Sequence, residues 1–459
     1  MSQINEDLLK VRHSAEHILT MAMRKFYPKM KMAMGPATDE GFYFDVDLGD
    51  EKITEADFGK IEQEMWRIIN SKLPFLREEI TPAEARKLFT GNEYKREWIA
   101  DIEAKKEPIT IYWTGKGTKD EFVDLCAGPH VDNTADIKAF KLLSVAGAYW
   151  HGDEKNKMLT RIYATAFPSK DELVSYLTLI EEAKKRDHRK LAKDLDLFST
   201  NMLTGAGLIL WHPKLSRVRN IIEQFWKDEH YRRGYELVYT PHIASMDMFT
   251  KTRHYIKYIN SMFPVMMHQY IEGESKGDYQ VDEQLKPMNC PNHVQIFKSS
   301  QKSYRDLPLR MAELGTVYRY ERAGVLHGLT RVRGFTQDDS HIFCTPEQVI
   351  SEIRGVLQLT RFMYEKVFGF SDYQAYIATR PANYLGSIEM WDFAESSLKK
   401  ALEEEGISYK IDEGEGVFYG PKIDSKIKDS LGREWQLGTI QFDFNLPTYS
   451  ESSDEDIED

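Results

Sequence analysis

A polar face inside one predicted strand constrains this chain more than any other feature of its sequence. The stretch LPLRMAELGTVYRYERAGVLHGLTRVRGFTQDDSHIF, residues 307–343, has the alternation of a two-stranded hairpin. One face of the second predicted strand is mostly polar and carries Arg331, Arg333, Phe335, Gln337, Asp339 and His341. The opposite face carries Val332, Gly334, Thr336 and Ile342. The fold therefore has to accommodate a row of unlike charged groups on a sheet.

Such a row has two physical interpretations. Burying many polar groups on a packed sheet face is costly unless they line a ligand site, and the alternative is an edge strand that meets solvent. The first predicted strand can present Arg319 and Glu321 toward the same region. This concentration of ionisable groups favours the ligand site.

Length and composition indicate a folded protein of two or three domains. The chain has 459 residues, of which 41% are hydrophobic. No stretch approaches the roughly 18 consecutive apolar residues of a membrane helix, and the N-terminus MSQINEDLLKVRHSAEH lacks the apolar core of a signal peptide. Both observations predict a cytoplasmic protein that does not contact the membrane.

Cysteine content and net charge limit the kinds of cross-link and the mode of nucleic-acid binding that the chain can have. Cys126, Cys290 and Cys344 are too few for a disulfide scaffold and are typical of a reducing compartment. Any functional role of these cysteines is expected to be chemistry at the individual side chain. The net charge of −12 argues against a chain that coats nucleic acid through bulk charge, although a locally basic face can still bind RNA.

Hydrophobic patterns predict an α+β protein. Residues 1–168 mix short helical and strand patterns, including the alternating strand candidate Gly41–Leu48, and predict one α+β domain. Residues 169–195 carry a helical apolar stripe with a basic patch at Lys184–Lys190 and predict one connecting helix.

The remainder predicts a larger domain followed by a tail. In residues 196–447, helices such as Ser216–Arg232 and Glu347–Phe368 alternate with strand-like runs. Residues 448–459 are strongly acidic and predict disorder.

Two pairs of proton-binding or metal-binding side chains have the spacing of one helical turn. His13 and His17 stand four apart, and Cys126 and His130 repeat that spacing in DLCAGPH. The residue types leave three interpretations: a zinc site, a water-filled pocket in which imidazoles act as general bases, or unrelated histidines of core and surface. Two such pairs in one chain argue against the third.

The segments RHSAEHIL, GFYFDVD, VDLCAGPH and GAYWHGDEKNKMLTRIY resemble the editing domain of bacterial threonyl-tRNA synthetases, over residues 10–167. The resemblance implies a pocket that hydrolyses serine mischarged on threonine tRNA, without a metal. It assigns to this pocket His13, His17, Lys95, Asp124, Cys126 and His130. A related domain of alanyl-tRNA synthetases holds zinc with the same ligand spacing, so the absence of metal is implied only. Editing is expected because one methyl group discriminates serine from threonine by only about 1–3 kcal/mol.

The stretch YRYERAGVLHGLTRVRGFTQDDSHIF is similar to motif 2 of class II synthetases in its threonyl form, whose core is an antiparallel β-sheet flanked by helices. By this resemblance Arg319 is catalytic and clamps the α-phosphate of ATP, while Arg331 assists at the nucleotide. A planar guanidinium suits phosphate because it binds oxygens in pairs and keeps its charge. Asp339 would accept a hydrogen bond from the ammonium group of L-threonine, and Gln337 would contact substrate or nucleotide.

Later segments resemble the strands that close the same pocket and a dimer motif. GVFYGPKID and GREWQLGTIQFDF imply ligands of ATP or substrate at Tyr419, Lys422, Gln436 and Gln441. Lys422 would be catalytic through its charge near the phosphates, which Mg²⁺ bridges. GYELVYTPHI resembles motif 1, which implies a homodimer.

Cys290 in KPMNCPNH and His341 match two of the three zinc ligands of the family. Such a zinc ion would bind the amino group and hydroxyl of threonine and reject valine, which lacks the hydroxyl. No histidine follows His341 in the sequence, so the third ligand has no counterpart downstream.

No segment of this sequence resembles the N-terminal ubiquitin-like domain, motif 3 or the anticodon-binding domain of the family. We therefore expect this chain alone to aminoacylate poorly. The leading expectation is a threonine–tRNA ligase, the second a tRNA deacylase that edits in trans, and the third a noncatalytic RNA-binding protein. A fragment, a split enzyme and a specialised editing factor are equally compatible with the sequence.

Overall fold

The chain divides into two units. The computed structural model describes residues 6–266, 282–370, 372–429 and 432–445. Contacts within the chain separate Met1–Glu181 from Glu182–Asp459. The predicted tail, 448–459, lies outside the described residues. Both units combine helices with mainly antiparallel sheets, which confirms the predicted α+β class.

The first unit contains five helices and seven strands among its described residues. Its helices are α1 (Glu6–Phe26), α2 (Phe58–Asn70), α3 (Pro82–Leu88), α4 (Glu93–Ala104) and α5 (Lys170–Lys185), which crosses the boundary. Its strands are β1 (Lys31–Met34), β2 (Phe42–Asp47), β3 (Phe75–Ile80), β4 (Ile109–Thr114), β5 (Phe122–Leu125), β6 (Ala139–Tyr149) and β7 (Met158–Phe167).

Helix α1 is the centre of the first unit. Its residues Ala15, Ile18, Leu19 and Ala22 recur at helical spacing and are fully buried. They pack with α2 against a four-stranded antiparallel sheet of order β1-β2-β7-β6, in which β2 confirms the strand predicted at Gly41–Leu48. A second antiparallel sheet has the order β3-β4-β5.

The segment predicted as one connecting helix is two helices. Helix α5 ends at Lys185, and α6 (His188–Leu195) begins after Asp187, whose carboxylate accepts a hydrogen bond from the Arg189 N–H. Asp187 has a non-helical backbone, as is usual for a residue that caps a helix. The prediction of a single helix over 169–195 is therefore wrong at this break.

The second unit is larger. Besides α6, its helices are α7 (Pro213–Arg232), α8 (Met246–Lys251), α9 (His254–Tyr258), α10 (Cys290–Lys298), α11 (Val349–Arg361, continued by a π-helical turn Phe362–Val367) and α12 (Ile388–Glu404). Its strands are β8 (Phe198–Thr200), β9 (Ile209–Trp211), β10 (Glu236–Leu237), β11 (Ile243–Ser245), β12 (Glu283–Leu285), β13 (Leu309–Tyr318), β14 (Gly334–Phe343), β15 (Tyr373–Ala378), β16 (Tyr409–Asp412), β17 (Lys422–Lys428) and β18 (Glu434–Gln441).

The predicted hairpin is the long antiparallel pair β13–β14, with β10 added in parallel to β13. Its ladder runs from Leu309 opposite Phe343 to Tyr318 opposite Gly334. The second strand begins only at Gly334, so the prediction that Arg331 and Arg333 lie on its polar face is wrong. The N–H of Arg333 donates to the carbonyl of Gly207, while its carbonyl still accepts from the N–H of Arg319.

A second sheet of the larger unit has the order β16-β15-β17-β18. Helices α11 and α12 cover it through the buried side chains of Leu357, Leu398 and Leu402 against Ile377 and Ile423. Helices α7 and α11 confirm the helices predicted at 216–232 and 347–368. None of the described helices is both long and apolar enough to span a bilayer.

Truncation of the α1 core should destabilise the first unit. We expect Ile18→Ala to lower its free energy of unfolding by about 2–5 kcal/mol, because the side chain is fully buried and leaves a cavity. Val174→Ala on the exposed side of α5 should change it by less than about 0.5 kcal/mol. Chemical denaturation of the full chain measures both, and equal losses would contradict this view of the core.

Candidate functional site

Two histidines of α1 and a cysteine–histidine pair form a pocket in the first unit. His13 and His17 lie one helical turn apart, and Cys126 and His130 lie in the loop after β5. The Sγ atom of Cys126 is 3.2 Å from Nε2 of His13 and 3.2 Å from Nε2 of His130. One candidate ligand atom from each of the four residues lies within 4.8 Å of the others.

The loop reaches this position through a glycine. Gly128 has φ 76°, in the left-handed region, and a Cβ there would lie 2.4 Å from the Tyr112 hydroxyl. Its N–H lies 3.2 Å from the Sγ of Cys126 and donates to it. The backbone between Cys126 and His130 can therefore fold back over Tyr112 only with glycine at this position.

Burial keeps the pocket neutral. It lowers the pKa of His13, lowers that of His17 well below the usual value, and lowers that of His130 to about 2. Burial also raises the pKa of Cys126 to about 12, although the Gly128 N–H opposes this shift. At neutral pH the pocket therefore contains neutral imidazoles, among which His17 and His130 are weakly basic, and a thiol that is not an activated nucleophile.

A buried ion pair adjoins the four residues. Nζ of Lys95, on α4, lies 2.7 Å from Oδ1 of Asp124, on β5, and both side chains are buried. Asp124 raises and Lys95 lowers the pKa of His13, though less than burial does, so both charges act within the pocket. The pair supplies a fixed cation beside neutral bases.

A second site lies in the larger unit around the first residue of α10, Cys290. Burial and the negative charge of Asp339 raise the pKa of its thiol, while Arg319 opposes the shift. Burial, and after it the charge of Cys290, raises the pKa of Tyr419 well above its usual value. The electrostatic influence of these groups on one another places them in one site.

Asp339 and His341 point from the same face of β14 into this region. Oδ2 of Asp339 accepts a hydrogen bond of 2.9 Å from Nδ2 of Asn289. Nδ1 of His341 lies 4.0 Å from Oδ1 of Asp339 and is buried without a hydrogen-bond partner.

The ends of β17 and β18 hold a hydrogen-bonded group centred on Asp424. Its Oδ2 lies 2.7 Å from Nζ of Lys422, and its Oδ1 accepts bonds of 2.9 Å from Gln436 and 2.8 Å from Thr439. Nearby, the Tyr419 hydroxyl donates to Oε1 of Gln441 at 2.6 Å. Lys422 is therefore held in place by a carboxylate and has part of its charge compensated.

Comparisons with known proteins match parts of both units. Residues 275–451 match the profile of the tRNA synthetase class II core domain (G, H, P, S and T), and residues 109–163 match the threonyl and alanyl tRNA synthetase second additional domain. Threonine–tRNA ligase of Dehalococcoides mccartyi is 52% identical over 441 residues, which are 96% of this chain and 72% of that protein. The chain belongs to the threonyl-tRNA synthetase family.

Other relatives of the family are similar over large parts of the chain. The chloroplastic/mitochondrial threonine–tRNA ligase 2 of Arabidopsis thaliana is 50% identical over 450 residues, 97% of this chain and 66% of that protein. The crystal structure of the RNA binding domain of threonyl-tRNA synthetase from Cryptosporidium parvum is 40% identical with a TM-score of 0.51, and covers 57% of this chain and 62% of that chain.

The structure brings together most residues that the family resemblance singles out. The pocket of the first unit contains the predicted set His13, His17, Lys95, Asp124, Cys126 and His130. The core site contains Cys290, Arg319, Asp339 and Tyr419. Their roles in a synthetase stay predictions.

Three predicted residues lie in or beside the β13–β14 hairpin. Arg331 is exposed, and its Nη2 lies 3.2 Å from the Glu321 carboxylate. Gln337 is half-buried on β14 opposite Gly315. Arg319 lies just beyond the end of β13, where its Nε donates to the Pro287 carbonyl at 3.3 Å.

Sequence reasoning missed the residues that contact or adjoin the predicted side chains of the core site. Asn289 and His293 stand four apart in KPMNCPNH, and this helical spacing was the available signal. Asp424 stands two residues after Lys422 on a strand, so their side chains share a face. Tyr258 had no signal, because only the fold brings its hydroxyl near Cys290 and Arg319.

The side chains around Cys290 form only part of a zinc site. The buried, unpartnered Nδ1 of His341 and the thiol of Cys290 are suitable zinc ligands. Across the described ranges, however, no group of three histidine, cysteine or carboxylate ligand atoms that includes these two is close enough together to hold one ion. Since zinc sites use at least three protein ligands, these residues do not form a complete site, and no step below passes through zinc.

Acid should destabilise the first unit through its neutral histidines. His130 has a pKa of about 2 when folded and roughly 6.5 when unfolded, so its stabilising contribution is complete above pH 6.5 and is lost as the pH falls below it. The loss approaches about 1.4 kcal/mol for each pH unit. Urea denaturation at pH 7 and pH 5 should show a smaller difference for His130→Asn than for the wild type. His151→Asn, at an exposed position of the same unit, should keep the full difference.

Proposed function

We propose that the chain activates L-threonine with ATP, transfers it to threonine tRNA, and removes mischarged serine by hydrolysis in the pocket around Cys126. The observation that carries the proposal is the joint site of Cys290, Arg319, Asp339 and Tyr419 in a chain that is 52% identical to a threonine–tRNA ligase. Asp124, Cys126 and His130 of the pocket lie in residues 109–163, the part that matches the threonyl and alanyl tRNA synthetase second additional domain.

Activation of threonine requires positive charge beside the phosphates of ATP and negative charge beside the ammonium group of threonine. The threonine carboxylate attacks the α-phosphorus of ATP and pyrophosphate leaves, after which a ribose hydroxyl of tRNA displaces AMP from the adenylate. Arg319 would stabilise the negative charge at the α-phosphate, and Asp339 would accept a hydrogen bond from the threonine ammonium group. Lys422, held by Asp424, would add positive charge near the phosphates. Mg²⁺ would enter bound to ATP.

Editing would use the neutral imidazoles as bases. A histidine of the pocket takes a proton from water as the water adds to the ester carbonyl carbon of seryl-tRNA. The ester C–O bond then breaks, the histidine returns the proton to the ribose oxygen, and serine and the ribose hydroxyl are released. The cation of Lys95 would stabilise the oxyanion, and the Cys126 thiol would hold water or substrate by hydrogen bonds.

We also propose that the protein is a cytoplasmic homodimer. The segment similar to motif 1 and the adjacent helix α7 expose apolar side chains, among which Ile221 is 68% and Tyr239 75% exposed. Exposed apolar residues of this size on neighbouring elements indicate a protein contact.

One observation favours a second candidate, a tRNA deacylase that edits in trans. All six predicted editing residues lie together in the first unit, so the pocket contains its full predicted set without any residue of the core. In this case the core would serve to bind tRNA.

The first test is threonine-dependent ATP–pyrophosphate exchange by the purified chain with zinc supplied. The proposal predicts exchange with threonine. Arg319→Ala should lower the rate at least about 100-fold, as expected for loss of a group that stabilises developing charge. Arg305→Ala, at an exposed arginine, should not change it. No exchange, together with intact deacylation, would establish the second candidate instead.

The second test is deacylation of seryl-tRNA. Cys126→Ala should lower the rate about 100-fold, because the thiol contacts His13 and His130. Cys344→Ala, a half-buried cysteine of the larger unit, is the matched control and should leave the rate unchanged. Zinc analysis of the same samples decides the metal question, and bound zinc that is lost in Cys126→Ala would contradict a metal-free pocket. An unchanged rate in Cys126→Ala would contradict the assignment of the pocket.

A further inference from the structure

Three buried polar residues lie directly behind Asp339 and His341, and the reaction proposed above does not use them. Asn289 and His293 are fully buried, and Glu313 is 4% exposed. We call these three residues the rear wall. Buried polar groups are costly unless they are fully paired, so a wall of this kind at a ligand site calls for a role.

The N-terminal end of helix α10 presents two residues of the rear wall, Asn289 and His293, together with Cys290. Asn289 directly precedes the helix, Cys290 is its first residue, and His293 follows one turn after Asn289 on the same face. Asn289 donates to Asp339 at 2.9 Å. The ring of His293 packs edge-on against the ring of His341, with centroids 4.5 Å apart. One helix end thus touches both of the side chains expected to recognise threonine.

Glu313 holds His293 in place. Nε2 of His293 lies 3.0 Å from Oε2 of Glu313. This contact fixes the orientation of the His293 ring, with Nε2 toward the carboxylate. Glu313 also accepts hydrogen bonds from the N–H of Thr240 at 2.7 Å and from its hydroxyl at 2.9 Å. The fully buried Lys286 places Nζ 3.7 Å from Oε1 of Glu313. With these donors around it, the carboxylate has little freedom to move.

The orientation of His341 depends on this packing. Its Nδ1 and the Nδ1 of His293 are both buried without a hydrogen-bond partner. The edge-on contact with the His293 ring, with centroids 4.5 Å apart, limits the rotation of the His341 ring. The space is also tight, since a Cβ at Gly315 would come 2.3 Å from Nδ2 of Asn289.

We propose that the rear wall positions the amino-acid subsite: Glu313 and His293 fix the ring of His341, and Asn289 fixes the carboxylate of Asp339. These are positioning residues, because they lie behind the groups that meet the substrate. The proposal rests on the proposed function, since it takes threonine as the ligand. Its consequence is selective: loss of the rear wall weakens threonine binding and leaves ATP binding intact.

The test compares the full-length wild type with His293→Ala and Glu313→Gln, which keeps the size of the side chain and removes its charge. His230→Ala is the matched control, because His230 is a buried histidine of the same unit that packs on Trp226. Calorimetry measures the Kd of threonine and of ATP separately, thermal melting measures folding, and crystal structures locate His341.

We expect the Kd of threonine to rise about tenfold to 100-fold in both rear-wall variants, because misplacement of a binding group by about 1 Å has effects of this size. The Kd of ATP should stay within about twofold, and His230→Ala should change neither beyond experimental error. Equal losses for threonine and ATP, or unchanged threonine binding, would overturn the proposal.

The crystal structures of the variants distinguish a failure of this proposal from a failure of the proposed function. If the wild type binds no threonine, the proposed function fails, and the position of His341 still tests the rear wall. A displaced His341 ring in His293→Ala and Glu313→Gln, with an unmoved ring in His230→Ala, supports the positioning role. A ring that stays in place in both rear-wall variants refutes it.

Discussion

The antiparallel ladder between β13 and β14 is the contact on which the core site depends. Its register sets Glu313 opposite Asp339, Gly315 opposite Gln337 and Met311 opposite His341. A slip of one residue would turn Asp339 and His341 to the opposite face of the sheet, away from α10. Because the ladder is continuous over ten pairs, the first strand supplies both the buried carboxylate and the space that the second strand's polar side chains require.

The two sites control charge by different means. In the pocket of the first unit, burial keeps three histidines and a thiol neutral, and one ion pair, Lys95–Asp124, provides the local charge. In the core, charged groups are retained and held by partners, as in Lys422 with Asp424 and Asp339 with Asn289. Neutral bases suit hydrolysis by activated water, whereas fixed charges suit chemistry at phosphate.

Sequence reasoning succeeded where periodicity is local. The alternation of Gln337, Asp339 and His341 identified one face of β14, and the spacing of His13 and His17 identified one face of α1. It failed where the chain leaves regular structure: Arg331 continues the alternating pattern, yet it precedes the strand and pairs with Glu321. The break of the connecting helix at Asp187 had a local cause, an aspartate that caps the next helix.

By itself, the sequence determined the α+β class through its hydrophobic periodicity, and its resemblance to a known family implied that family and most side chains of both candidate sites. Only the tertiary structure decided which distant residues support them. Glu313 meets His293 across 20 residues, Asp339 meets Asn289 across 50, and Cys126 meets His13 across 113. Pairings at such separations depend on strand register and loop closure, and short-range periodicity carries no information about either.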